Sequence, residues 1–161
     1  MNTETTMDTI CAYLKHDHQR CDDLFDQAET CVAQRNWQGA IDYFSRFQNL
    51  LRQHIHVEEN ILLPAFVQAL EGAAGPAAML RSEHRQIDGI VDRMLEALHR
   101  FDPADYVLHV ETLTLLMQQH ALKEEDMLYP LLDRALACKR DKIISAMAEC
   151  LGSPIAQPAP G

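Results

Sequence analysis

Positive charge is scarce in this chain: 14 lysines and arginines stand against 24 aspartates and glutamates, for a formal net charge of −10. So acidic a surface argues against a nucleic-acid partner and against an anionic membrane face, since both are polyanions. Long apolar runs are also missing. No stretch approaches the ~18 residues a membrane span needs, and Met1 to Ile10 is rich in Thr, Asp and Glu instead of pairing a basic segment with an apolar one. Neither a spanning segment nor a signal peptide is expected, and the expected location is cytoplasmic. The five cysteines (Cys11, Cys21, Cys31, Cys138 and Cys150) form no C-x-x-C pair and are odd in number. That suits reduced thiols in a helical protein better than a disulfide framework.

What the chain does have is helical periodicity. At 161 residues and 47% hydrophobic it is one domain, long enough to bury a core. Apolar stripes at spacings of three and four run through Ile10, Leu14, His18, Cys21, Asp22 and Phe25, and through Phe44, Phe47, Leu50, Leu51, His54, Glu58 and Ile61. A third follows Leu80, His84, Ile87, Asp88, Val91 and Met94, and a fourth Leu113, Leu116, Met117, His120, Glu124, Met127 and Leu128. Breaks fall at Arg35-Asn36, at Glu71 to Pro76 and at Phe101-Asp102-Pro103, where Asp102 can cap a helix and Pro103 can open it. Short turns between long helices make sequential neighbours antiparallel. The expected fold is all-α, an up-down-up-down four-helix bundle, with a short extra helix at 141–151 and a disordered tail at 152–161.

The chain also repeats itself. A shift of 66 residues places His18 on His84, His54 on His120, Glu58 on Glu124 and Pro64 on Pro130, with Leu14 on Leu80, Asp22 on Asp88 and Glu59 on Glu125. Residues of an antiparallel hairpin share a level when they are equidistant from its turn. The midpoint of His18 and His54 is residue 36, that of His84 and His120 is residue 102, and that of Glu58 and His84 is residue 71. All three are breaks assigned without reference to the histidines, so four histidines and two glutamates converge on one layer.

Within each half the second helix carries H-x-x-x-E, His54 to Glu58 and His120 to Glu124, which sets an imidazole and a carboxylate one turn, ~6 Å, apart on one face. One core-facing histidine is ordinarily a structural residue. Four beside two glutamates would bury polar groups at a cost of roughly a few kcal/mol each without a partner. His18, His54, Glu58, His84, His120 and Glu124 are therefore the expected metal ligands, with the carboxylates placed to bridge two ions about 3.5 Å apart. Nitrogen and oxygen donors without thiolate favour iron, with manganese or zinc also fitting. Asp22 and Asp88, one turn after a ligand histidine, are expected to hydrogen-bond an imidazole N–H. Glu59 and Glu125, turned ~100° from the ligand glutamates, are expected in solvent or a salt bridge, and Met94, Met117, Met127, Phe44 and Phe47 in the core. His16, His56, His99 and His109 are expected on the surface.

The pattern H, then H-x-x-x-E-E-x-x-x-x-P, repeated once over roughly residues 8 to 135, resembles the hemerythrin-like HHE cation-binding family. The resemblance makes residues 1–151 one such domain, with pseudo-repeats at about 8–70 and 76–135. It implies a non-haem di-iron centre with an oxo or hydroxo bridge, and small-molecule partners: O2, NO or peroxide. Oxygen-carrying members have a fifth histidine where this chain has Asp88, and usually an aspartate five residues after the last histidine, where this chain has Glu125 following Glu124. The symmetric set is more similar to iron-centre repair and redox-responsive members. The leading expectation is a di-iron binding or sensing protein in stress response or iron handling. The alternatives are a di-iron oxidoreductase or an iron donor for damaged iron–sulfur centres, and a bundle with a structural metal. No protein partner is indicated.

Overall fold

The structure, a computed structural model, describes residues 8–151; the expected tail at 152–161 lies outside the described residues. It is all-helical among those residues. Four long rods follow one another: α1 (Ile10–Ala33), α2 (Trp37–Val57) continuing into α3 (Leu63–Ala69), α4 (Ala74–His99), and α5 (Pro103–Lys123) continuing into α6 (Tyr129–Ala135). A 3-10 turn leads to α7 (Arg140–Leu151), the short C-terminal helix, which packs against α1 and α2. No helix among the described residues is long and apolar enough to cross a membrane.

The two hairpin turns are built alike, 66 residues apart. Asn36 Oδ1 accepts from Gly39 N at 3.0 Å and Asp102 Oδ1 from Asp105 N at 3.1 Å, each satisfying a first-turn N–H that has no partner within its helix. The residue before each cap, Arg35 (φ 58°) or Phe101 (φ 56°), turns the chain in the left-handed region. Trp37 and Phe101 meet edge to face at 6.3 Å, so both turns lie at one end of the bundle. The intervening connection is shorter than the sequence suggests. Gly72 (φ 81°) makes its turn and α4 begins at Ala74, because Pro76 falls in the first helical turn, where its missing N–H costs nothing.

Each second rod is interrupted once, by a π turn at Glu58–Leu62 and at Glu124–Leu128. Leu63 N bonds Glu58 O, and Tyr129 N bonds Glu124 O, five residues back. Pro64 and Pro130 follow immediately; a proline ring clashes with the carbonyl four residues earlier in a regular helix, and widening the turn relieves that contact. The widened turn also shifts the stripe that follows it. Met127, expected in the core, is 71% exposed, and Leu128 is buried in its stead.

The core is split in two. One apolar cluster holds Phe25, Phe44, Phe47, Val91, Met94 and Tyr106; the other holds Ile10, Leu14, Leu62, Phe66, Tyr129 and Leu132. Every rod crosses from one cluster to the other at the same level: Cys21 to Leu14 on α1, Leu51 to Val57 on α2, Ile87 to Leu80 on α4, Leu113 to Leu128 on α5 and its continuation. The layer between contains the histidines and glutamates. Three seams of the bundle, α1 with α2, α2 with α4 and α4 with α5, are closely packed, whereas α1 and α5 stand apart along a groove of about 760 Å³.

Asp102→Ala tests the turn design. Loss of one cap is expected to lower stability by ~1 kcal/mol, read as a fall of a few degrees in the thermal melting midpoint with helix content unchanged. An unchanged midpoint would show that Asp102 does not hold the turn.

Candidate metal centre

Six side chains from four helices meet in the layer between the clusters. His18 Nε2 lies 3.0 Å from His54 Nε2, and His84 Nε2 lies 3.0 Å from His120 Nε2. Glu58 spans the two pairs, with Oε1 3.1 Å from His54 Nε2 and Oε2 3.0 Å from His84 Nε2. Glu124 Oε1 lies 3.3 Å from His18 Nε2 and 3.1 Å from His120 Nε2. Donor atoms of His18, His54, Glu58 and Glu124 all fall within 4.8 Å of one another, as do those of Glu58, His84, His120 and Glu124. The two groups share both glutamates, so each carboxylate faces both imidazole pairs.

Outer carboxylates fix the rings. His54 Nδ1 donates to Asp17 at 3.0 Å, His84 Nδ1 to Glu59 at 2.8 Å, and His120 Nδ1 to Glu83 at 2.7 Å. Bonding at Nδ1 selects the tautomer that leaves Nε2 with its lone pair, and orients it. Asp17 and Glu83 immediately precede His18 and His84, yet each reaches across to the histidine of the neighbouring helix. They are the residues sequence reasoning missed. Their signal was available, since Asp17 and Glu83 are also 66 residues apart.

Asp22 and Asp88 do not take the role expected of them. Asp88 is 39% exposed at its side chain and pairs with Arg52 at 2.8 Å, and Asp22 is exposed at the rim of the α1–α5 groove. Both lie toward the solvent edge of their stripes, where water and arginine compete successfully for a carboxylate. Glu59 is in a salt bridge, with His84, and His16, His56 and His99 are exposed while His109 is half-buried. Tyr129, whose place relative to the site the sequence leaves open, lies inside it: its hydroxyl donates to Glu58 Oε1 and sits 3.3 Å from His18 Nε2.

This donor set fits a cation. Lone pairs on facing Nε2 atoms and on the two carboxylates converge in a buried layer, and Glu58 Oε2 and Glu124 Oε1 are buried without a hydrogen-bond partner. Such groups repel unless positive charge lies among them. Without metal, protons serve. Burial opposes the charged form of His54, but the Glu58 carboxylate and Asp17 hold its pKa well above the ordinary value. Burial likewise opposes charge on His120, which Glu124, Glu58 and Glu83 push up to about 9. Burial raises the Glu58 carboxyl, yet the His54 and His84 imidazoles hold it well below the usual range.

The fold and the layer together define a class: a four-helix-bundle protein with a buried cluster of histidines and glutamates that could hold a cation. Residues 9–132 match the family described as the hemerythrin HHE cation binding domain, and the chain belongs to that family. Membership carries cation binding, typically of iron. Comparison with curated proteins and with solved structures finds no match.

These shifts give the metal-free protein a definite pH dependence. His120, at about 9 when folded against an ordinary 6.5, stabilises the fold below about pH 6.5, and that contribution is lost as pH rises toward 9. The melting temperature of metal-free protein is expected to fall across that window. With metal in place of protons the slope should vanish or reverse, because metal binds the deprotonated imidazoles. Parallel profiles for the two forms would contradict the assignment.

Proposed function

We propose that the chain is a non-haem di-iron protein, with His18, His54, Glu58, His84, His120 and Glu124 as ligands, that meets O2, NO, peroxide or iron in redox or nitrosative stress response or iron handling. The observation that carries this reading is the convergence of four Nε2 atoms on two carboxylates that each face both imidazole pairs. Each ion would take two imidazoles and share both glutamates, and iron so held supplies electrons and coordination positions left free for a small ligand. Manganese and zinc suit the same donors, but six donors around two positions exceed what one closed tetrahedral zinc site uses.

The protein's own groups divide the remaining work. Asp17, Glu59 and Glu83 keep three imidazoles aimed inward. Phe25, Leu51, Ile87 and Met117 line the groove that leads to the histidines, with Lys15, Asp22, Asp26 and Glu125 also on it, giving a small molecule a partly apolar route. The Tyr129 hydroxyl, held against Glu58, is an O–H donor inside the layer. Burial and the Glu58 and Glu124 carboxylates push its pKa up, so it keeps its proton. Reversible oxygen carriage is disfavoured because Asp88, at the place where carriers have another imidazole, faces Arg52 and leaves the set symmetric.

Metal analysis tests the assignment. Protein purified with iron present is expected to hold about two irons per chain, and Glu58→Ala or His120→Ala to hold less than half of that. A chain that saturates at one zinc and is indifferent to both changes would refute it. A second outcome concerns oxygen. Anaerobically reduced protein exposed to air and then purged with argon is expected to stay oxidised, followed by its absorbance; recovery of the reduced spectrum on purging would mark an oxygen carrier.

A further inference from the structure

The sequence repeat makes the two cation positions look equivalent, and the structure breaks that equivalence at one residue. His54, His84 and His120 are each tied at Nδ1 to a carboxylate, at 3.0, 2.8 and 2.7 Å. His18 is not: its Nδ1 is buried without a hydrogen-bond partner, and the nearest carboxylate, Glu125, stands 3.8 Å away. Glu125 is the repeat counterpart of Glu59, which does make its bond, so the same residue type in the same position holds one ring and misses the other. The His18 side chain is also the most exposed of the four, at 15% against 3%, 3% and 9%.

A second asymmetry falls on the same residue. Tyr129 has Leu63 as its repeat counterpart, so only one half carries a hydroxyl in the layer. That hydroxyl lies 3.3 Å from His18 Nε2, the atom a cation would use, and offers it an alternative hydrogen-bond donor. In the opposite half Glu83, which orients His120, is held by the Lys123 ammonium more closely than Asp17, which orients His54, is held by Arg20 at 3.4 Å.

We infer that the two cation positions are functionally distinct: the one formed by His84 and His120 with the shared glutamates is retentive, and the one formed by His18 and His54 is the exchangeable position, where a divalent cation enters and leaves. The inference rests on the two-cation reading above and adds an order of filling to it. Loss of a carboxylate that orients a ligand histidine typically weakens metal affinity by about 10–100-fold, and His18 lacks that support from the outset. Filling should therefore begin at the His84 position, and stripping at the His18 position.

The test is anaerobic titration of metal-free full-length chain with Co²⁺, an optically visible divalent probe, in competition with a chelator of known affinity. Two steps separated by about 10–100-fold are expected. Glu125→Gln should leave both steps within about twofold, having no bond to lose, whereas Glu59→Gln should weaken the tighter step by about 10–100-fold and bring the two together. His18→Ala should still bind one Co²⁺ at the tighter affinity, and His84→Ala should lose that step. Two equivalent ions in the unaltered chain, or a Glu125→Gln effect as large as that of Glu59→Gln, would overturn the inference while leaving two-cation binding intact. The unaltered chain decides this even where a variant fails to fold. No Co²⁺ uptake, or one ion indifferent to both histidine changes, would overturn the two-cation reading itself.

Discussion

Glu58 and Glu124 are buried side by side in the middle of the bundle, among four imidazole nitrogens that point their lone pairs at the same space. Carboxylates removed from water are costly unless positive charge is close, and the outer ring of Asp17, Glu59 and Glu83 adds more negative charge, offset only from outside the layer by Arg20 at Asp17 and Lys123 at Glu83. The layer can persist only with cations in it, as protons on histidine or as metal ions. Other features follow from that requirement. The apolar core divides into two clusters because a charged layer has to run between them, and hairpin turns at Asn36 and Asp102 bring the histidines of each half to one height.

The prolines that follow the glutamates are part of the same construction. Pro64 and Pro130 come six residues after Glu58 and Glu124, and each is accommodated by a π turn that opens at the glutamate itself. In a widened turn consecutive side chains lie closer in direction, which lets Glu58 face the centre while Glu59 reaches the outer nitrogen of His84. One local irregularity thus supplies an inner donor and an outer support from neighbouring residues.

Much of this was legible in the sequence, and what was not has a physical cause. The 66-residue repeat and the capping residues contained the helix order, the turns and the common level of the six residues, because hairpin geometry converts sequence distance into height. A periodicity of 3.6 does not reveal the π turns, so it puts Met127 on the wrong side of its helix. An apolar stripe read from spacing is wider than the buried face, so it assigns to Asp22 and Asp88 the contacts that belong to Asp17 and Glu83. Those two lie beside His18 and His84 in sequence but act on the next helix, and only packing across the hairpin discloses that. The untethered ring of His18 is subtler still, since the residue that could hold it is present at the right position and stands too far away.

The central claim is that metal ions and protons compete for the same Nε2 atoms, and the most direct test is to count the protons that metal displaces. Mn²⁺ added to metal-free protein in weakly buffered solution at pH 7, with the acid released titrated back, should expel protons, that of His120 with its pKa near 9 among them. Glu58→Gln, which removes one of the carboxylates that keep the histidines protonated, should expel fewer. Full occupancy by metal with no proton released would mean that the imidazoles carry no protons in the metal-free protein, and would contradict the account of what holds this layer together.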